Sequence, residues 1–271
     1  RAGGKQAAQR AGRVTGATGK ERAALVVGAS RGIGLAIAER LLDDPAWCRV
    51  CATHRGPEVG DRLGRLARAH PDRLVIYGRC EVTDDEALET LAGRLRGEAI
   101  ELDLVMHCAG ILHEAETGLR PEKALAQVDR RALARIFDVN AFSPLLLARA
   151  VFDRIPRQRP AHFAALSAMV GSIGDNRLGG WYGYRASKAA LNQFLRTLAN
   201  EARRTRPELC VTAIHPGTTD TDLSRPFQGN VADDRLYTPQ QSAARILDVV
   251  LGGAPADSGR FMNWDGQPIP W

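Results

Sequence analysis

The sequence predicts an α/β fold of the doubly wound type, with about seven parallel strands in one central sheet. Seven short apolar runs recur along the chain, and amphipathic helical stretches separate them. Strands that alternate with helices cross over and lie parallel, and such a sheet is covered on both faces. No internal repeat or low-complexity linker follows residue 20, so 21–271 read as a single domain.

The strands expected, in order, are 24–27, 48–53, 73–77, 102–107, 162–167, 210–215 and 260–263. Each is a short, mainly apolar run of strand length. Helical spacing of apolar residues predicts helices over 33–42, 84–95, 130–155, 183–203 and 239–251, the third of them bent by Pro144.

Composition narrows the class. With 271 residues, 44% of them apolar and 25% charged, the chain can bury a core without disulfides or a structural metal. No apolar run reaches the roughly 18 residues of a membrane span, and no secretory apolar region is seen, so a cytoplasmic protein is expected. The net charge of +6 is concentrated at one end. Arg1, Lys5, Arg10, Arg13 and Lys20 are joined by no acid within 1–20, a Gly- and Ala-rich stretch expected to be a flexible basic tail. The remainder is close to neutral, so no nucleic-acid partner is expected. Of five cysteines, Cys48 and Cys51 form a C-x-x-C inside a predicted strand. Residues three apart on a strand face opposite ways, so no metal site is expected there.

The first strand runs directly into Gly28-Ala29-Ser30-Arg31-Gly32-Ile33-Gly34 and then a helix. Placed between strand and helix, such a loop makes the domain Rossmann-type. Gly28 allows the sharp turn, Gly32 lets the backbone approach a pyrophosphate, and Gly34 lets helix and strand pack closely. The helix start offers free N–H groups to the phosphates. An NAD site places an acid at the end of the second strand, and here that strand ends Thr53-His54-Arg55. Arg31 and Arg55 suit a 2′-phosphate instead, so NADP is expected in preference to NAD.

Farther on, Tyr184 and Lys188 are four apart on a predicted helix and share a face. A phenol is a poor acid–base catalyst at neutral pH unless a neighbouring ammonium lowers its pKa. Tyr184 is thus a candidate general acid/base for hydride transfer between a carbonyl and its alcohol, with Lys188 beside it. Tyr182 has Ala186 at the matching position and is not a candidate.

The GxxxGxG spacing and the Tyr184–Lys188 pair resemble the short-chain dehydrogenase/reductase family, and the likeness extends over about 22–271. It implies a proton-relaying role for Asn140 in Phe137-Asp138-Val139-Asn140. It implies cofactor contacts at Glu81 and Val82, Ala109 and Gly110, Pro216 and Gly217, and Thr219 and Thr221, besides Tyr184 and Lys188. Asp103 matches an acid at the start of the fourth strand. The runs VGSIGDN, GGWYGYRASKAALN, HPGTTDTDL and DGQPIPW are similar to the C-factor/sniffer-like branch, which holds carbonyl reductases and some proteins named for signalling. Three positions depart from the family pattern. His107-Cys108-Ala109-Gly110 replaces Asn-Asn-Ala-Gly, Glu81 stands for an Asp, and Ser167-Ala168 replaces a Ser-Ser pair whose second member is the active one. Ser172 and Ser167 are then both candidates to hold the substrate oxygen, Ser172 slightly favoured because a loop can bring it to the pocket.

The polar segment 218–237 and the segment 111–118 are expected to cover the substrate, with Trp181, Tyr182, Phe227 and Met169 as an apolar wall. No basic cluster selects an anion, so a small neutral carbonyl or alcohol is expected. The resemblance also implies a homo-oligomer paired through the helices that carry Asn140 and Tyr184. The sequence thus points to an NADP-dependent carbonyl reductase, the alternative being a nucleotide-binding regulatory protein of the same fold with little turnover.

Overall fold

The computed structural model describes residues 21–271; the basic segment 1–20, expected to be flexible, lies outside the described residues. The described residues begin with β1 (Arg22–Val27), α1 (Gly32–Asp43), β2 (Trp47–Thr53), α2 (Asp61–Ala69), β3 (Leu74–Tyr77), α3 (Asp85–Gly97) and β4 (Leu104–His107). The chain continues through α4 (Arg130–Phe137), α5 (Ser143–Val151), β5 (Ala161–Leu166), α6 (Tyr182–Thr205) and β6 (Leu209–His215). The last elements are β7 (Thr218–Thr219), β8 (Leu236–Tyr237), α7 (Pro239–Leu251) and β9 (Arg260–Asn263).

Seven of these strands form one parallel sheet in the order β3-β2-β1-β4-β5-β6-β9. The order reverses between β1 and β4, and a crevice opens there beyond the carboxyl ends of the strands. Alternate residues divide between two cores, as the period of a strand requires. Leu25, Val27, Val105 and Phe163 face α3, α5 and α6, whereas Ala24, Val26, Leu104 and Met106 face α1, α2 and α7. Both faces are therefore dry, which is why these strands read as continuous apolar runs. No helix among the described residues is long and apolar enough to cross a membrane.

All seven expected strands are present, with ends shifted by a residue or two. Three features depart from expectation. α2, not predicted, is mostly polar and buries only Leu63 fully. β7 and β8 are two-residue strands that pair within the 218–237 segment. The helix expected over 130–155 is interrupted by a π-helical stretch, Asp138–Phe142, between α4 and α5. Pro144 accounts for the break, because its ring clashes with the carbonyl four residues back and forces the preceding turn open.

β9 is an edge strand, and its outer side is covered by the returning chain. Asn263 N donates to Gln267 O at 2.8 Å, Ile269 N to Phe261 O at 2.8 Å, and Met262 and Pro268 form an antiparallel bridge. Beyond it, Gly174 N donates to Trp271 O at 2.9 Å, tying the same segment to the loop after β5.

Three imidazoles lie in or beside this sheet. Burial, the largest cause in each, holds His107 down to about 3 and His162 and His215 down to about 4. All three are neutral in the fold, whereas an unfolded chain takes up protons below about pH 6.5. Stability is therefore fully present above that pH and declines as pH falls toward about 4. We expect the melting temperature to drop from about pH 7 to about pH 5, and His162→Asn to make that dependence shallower. Equal slopes for both proteins would exclude His162 as a contributor.

Candidate active site

The turn between β1 and α1 is shaped by contacts that only glycine permits. Gly28 has φ +80°, and a Cβ there would stand 2.9 Å from Ala109 N. At Gly34 a Cβ would stand 2.3 Å from Gly28 O, so the turn closes directly on its own helix. α1 begins without a side-chain cap, which leaves its first N–H groups available to an anion. Ser30 and Ile33 lie within this turn, Ile33 packed against the core beneath.

The two arginines expected at a 2′-phosphate engage different acids. Arg31 Nη1 lies 2.9 Å from Asp222 Oδ2 in the 218–237 segment, and Arg55 Nε lies 3.9 Å from Glu81 Oε2. Glu81 Oε1 also accepts from Thr83 Oγ1 at 3.1 Å, and Val82 is buried in the core. Thr221 reaches the same turn, its Cγ2 3.3 Å from where a Cβ on Gly32 would be. The 218–237 segment thus lies across the phosphate loop. At its base Gly217 has φ +75° with Tyr237 and Trp264 close behind it. Thr219 is buried and shares a 2.7 Å hydrogen bond with Ser242.

Asn140, Tyr184 and Lys188 converge at the ends of β4 and β5. Asn140 Oδ1 accepts from Ile111 N at 2.8 Å, and its Nδ2 donates to Ile111 O at 2.8 Å and to Ser187 Oγ at 3.2 Å. Ser187 Oγ donates to Tyr184 O at 2.9 Å, so Asn140 is tied to the helix that carries the tyrosine. Lys188 Nζ donates to Leu166 O at 2.8 Å and stands 5.7 Å from the centre of the Tyr184 ring. A Cβ on Gly110 would lie 3.4 Å from Asn140 Oδ1 and 3.6 Å from Lys188 Nζ, so this glycine leaves room for both. The Tyr184 hydroxyl takes no hydrogen-bond partner among the described residues.

The electrostatics differ from the sequence expectation. Burial pushes the Tyr184 phenol above its ordinary range and pulls Lys188 down to about 8. The shared helix face brings phenol and ammonium together, yet desolvation opposes the charged form of each and outweighs their attraction.

Neither candidate serine is bonded to Tyr184. Ser167 Oγ donates to Asn192 Oδ1 at 2.7 Å, and Ser172 Oγ accepts from Asp175 N at 3.1 Å. Between them, Ala168 and Val170 pack with the Tyr184 cluster, and the extended backbone at Ala168 turns its methyl group opposite to Ser167. Of the expected apolar wall, Trp181 and Phe227 stand 5.1 Å apart and Trp181 lies edge-on to Tyr184. Met169 packs against the core on the α3, α5 and α6 side, and Tyr182 faces outward, 42% exposed.

His107, one of the departures from the family motif, has a structural role that the sequence did not disclose. Ser143 N is bonded to Asp138 O across the π turn, and Pro144 has no N–H, so the Val139 carbonyl lacks a main-chain donor. Ser143 Oγ donates to Val139 O at 2.7 Å and lies 2.9 Å from His107 Nε2. The imidazole thus shares a hydrogen bond with the hydroxyl that meets Val139. The chain His107–Ser143–Val139 holds the turn that presents Asn140. The unusual His107 and the Ser143-Pro144 pair were its available signals.

Residues 22–231 match the short chain dehydrogenase family, and the chain belongs to it, an oxidoreductase fold by descent as well as by geometry. It is 31% identical to 1-hydroxy-2-glutathionyl-2-methyl-3-butene dehydrogenase of a Rhodococcus species, over 91% of this chain and 98% of that one. It is 36% identical to C-signal of Myxococcus xanthus, over 55% of this chain and 84% of that one. Among solved structures, an NADPH-bound carbonyl reductase from chicken fatty liver superposes with a TM-score of 0.80 at 31% identity, covering 93% of this chain and all of that one.

Removing the Ser143 hydroxyl leaves Val139 O and His107 Nε2 unpaired in a dry core. An orphaned buried polar group costs about 1–3 kcal/mol. We expect Ser143→Ala to lower the melting temperature by several degrees, at about 2–4 °C per kcal/mol for a chain of this size. A variant as stable as the parent would show that the carbonyl finds another donor.

Proposed function

We propose that this chain is an NADP-dependent reductase of a small neutral carbonyl compound, with Tyr184 as its general acid/base. The observation that carries the reading is the convergence of Asn140, Tyr184 and Lys188 beside Gly110, at the mouth of a phosphate loop that only glycines can form. The residues fit a dinucleotide. The uncapped start of α1 suits a pyrophosphate, and Arg55 stands where an NAD site would place an acid. The chicken relative binds NADPH, which supports the same cofactor here. Bound NADPH would supply the hydride.

The chain's own residues supply the rest. A phenol held above its ordinary range is protonated at neutral pH, which suits donation to a carbonyl oxygen that gains negative charge. Lys188, pulled down to about 8 by burial, is still mostly the ammonium at neutral pH and would favour the phenolate left behind. Asn140, through Ser187, holds the turn of α6 on which both stand. With an alanine at 168, Ser172 is favoured over Ser167 to replace the missing hydroxyl, because the Ser167 proton is committed to Asn192 while Ser172 Oγ only accepts. Trp181 and Phe227 favour a substrate with apolar or aromatic bulk. Pairing of two copies through α5 and α6 is part of the same proposal, since Phe142 leaves an exposed aromatic surface near Phe194 there.

A second reading, a regulatory nucleotide-binding protein, is favoured by the similarity to C-signal and by Ala168 in place of a serine. Two experiments separate them. Fluorescence titration should show NADPH bound more tightly than NADH, and Arg55→Ala should reduce NADPH affinity at least about tenfold, the loss of a charge-assisted contact. Equal binding of both cofactors by the parent would remove the NADP assignment. Tyr184→Phe should lower kcat for an aromatic aldehyde or ketone by about 10²- to 10⁴-fold while leaving NADPH binding intact. Cofactor binding without turnover in the parent would favour the regulatory reading.

A further inference from the structure

Glu122 stands outside every motif of the sequence, yet it grips the start of the helix that carries Tyr184 and Lys188. Its side chain is buried, 6% exposed, and forms no ion pair among the described residues. Both carboxylate oxygens accept from Gly183 N, at 3.3 and 3.2 Å, and its main-chain carbonyl accepts from Trp181 N. A buried carboxylate is costly unless something compensates it. Here the compensation is the start of a 24-residue helix, where unpaired N–H groups and the helix dipole favour a negative charge.

The residue whose amide makes the second of these contacts is under strain. Trp181, the residue preceding the helix, has φ +51°, a left-handed conformation that disfavours a bulky side chain. Strain of this kind persists only where the surroundings over-determine it. From this conformation the indole lies edge-on to Tyr184 and to Phe227, at 6.1 and 5.1 Å between ring centres. Gly183 fits the arrangement because a Cβ there would stand 3.0 Å from Glu122 Oε1 and 3.1 Å from Leu133.

We infer that Glu122 is a positioning residue that locks the substrate-side segment before α4 to the first turn of α6, and so fixes Trp181 and Tyr184 as one unit. The inference rests on the reductase reading for its kinetic consequence, but the grip itself does not depend on it. Glu122 touches neither cofactor nor substrate in this account. Its effect passes through Trp181 and Gly183 to the angle and depth of the Tyr184 ring, and a displacement of about 1 Å at such a site costs up to about 10²-fold in rate.

The test compares Glu122→Ala with Glu122→Gln, which keeps an acceptor for Gly183 N but removes the charge. In Glu122→Ala, kcat/KM for an aromatic ketone should fall by about 10- to 100-fold. NADPH affinity should stay within about twofold, since the phosphate loop is untouched, and Glu122→Gln should recover most of the loss. Hydrogen exchange gives a readout that needs no substrate. Amides of 181–184 should exchange faster in Glu122→Ala, while those in the carboxyl-terminal half of α6 stay protected. Unchanged exchange at 181–184 would overturn the inference, as would a folded Glu122→Ala enzyme with parental kcat/KM. Were the parent to reduce no carbonyl, the reductase reading would fail while the exchange result still decided the role of Glu122.

Discussion

A helix that opens into a π turn leaves a carbonyl without its usual partner, and in this protein that carbonyl lies in a dry core. Pro144 forces the opening and also removes the one amide that could have repaired it. The Val139 carbonyl is met by Ser143 Oγ, which also shares a hydrogen bond with the imidazole of His107. Asn140 is presented by that turn, and from it reaches the main chain of Ile111 and the hydroxyl of Ser187. The end of β4, the segment after it and the second turn of α6 are thus held together through one irregular turn. A straight helix over the same residues would turn Asn140 elsewhere and leave the three elements to pack without a polar link.

The burial that makes this turn stable also sets the charge state of its neighbours. Lys188 and Tyr184 are both desolvated, and each resists its ionised form. His107, close to Lys188, is held neutral by burial first and by that ammonium second. A neutral imidazole also meets Ser143 Oγ without adding a second positive charge. Packing and protonation are therefore one problem at this site, solved by excluding water.

Much of the fold was legible because the sheet is buried on both faces, so its strands are apolar throughout and stand out from the helices between them. The phosphate loop was legible for a different reason: its glycines are demanded by backbone contacts, and Gly34 against Gly28 O leaves no alternative residue. What escaped lacks local signals. α2 is polar on most of its surface, and its only fully buried side chain is Leu63. The apolar pattern runs through the π turn unbroken, so only Pro144 hinted at it. The serine question turned on the direction of one side chain, and the extended backbone at Ala168 packs that methyl group with the Tyr184 cluster while the Ser167 hydroxyl turns to Asn192. Glu122 and Gly183 are 61 residues apart, beyond the reach of any periodicity. Sequence spacing also carries no information about water, so it could not show that burial acts on the Tyr184 phenol against the pull of a nearby ammonium.

The hairpin that folds back over β9 bears on how this molecule behaves in a crowd. An uncovered edge strand offers its amides and carbonyls to any other chain, and sheets joined that way grow into aggregates. Here Phe261 O and Asn263 N are already taken by Ile269 and Gln267, and Pro268 presents no donor of its own to a newcomer. Because Trp271 O is fastened to Gly174, the seal is anchored at its far end as well. With Asn263 N and Phe261 O occupied, β9 itself has little left to offer a second copy's strand, which favours side-chain contacts for any assembly on this side.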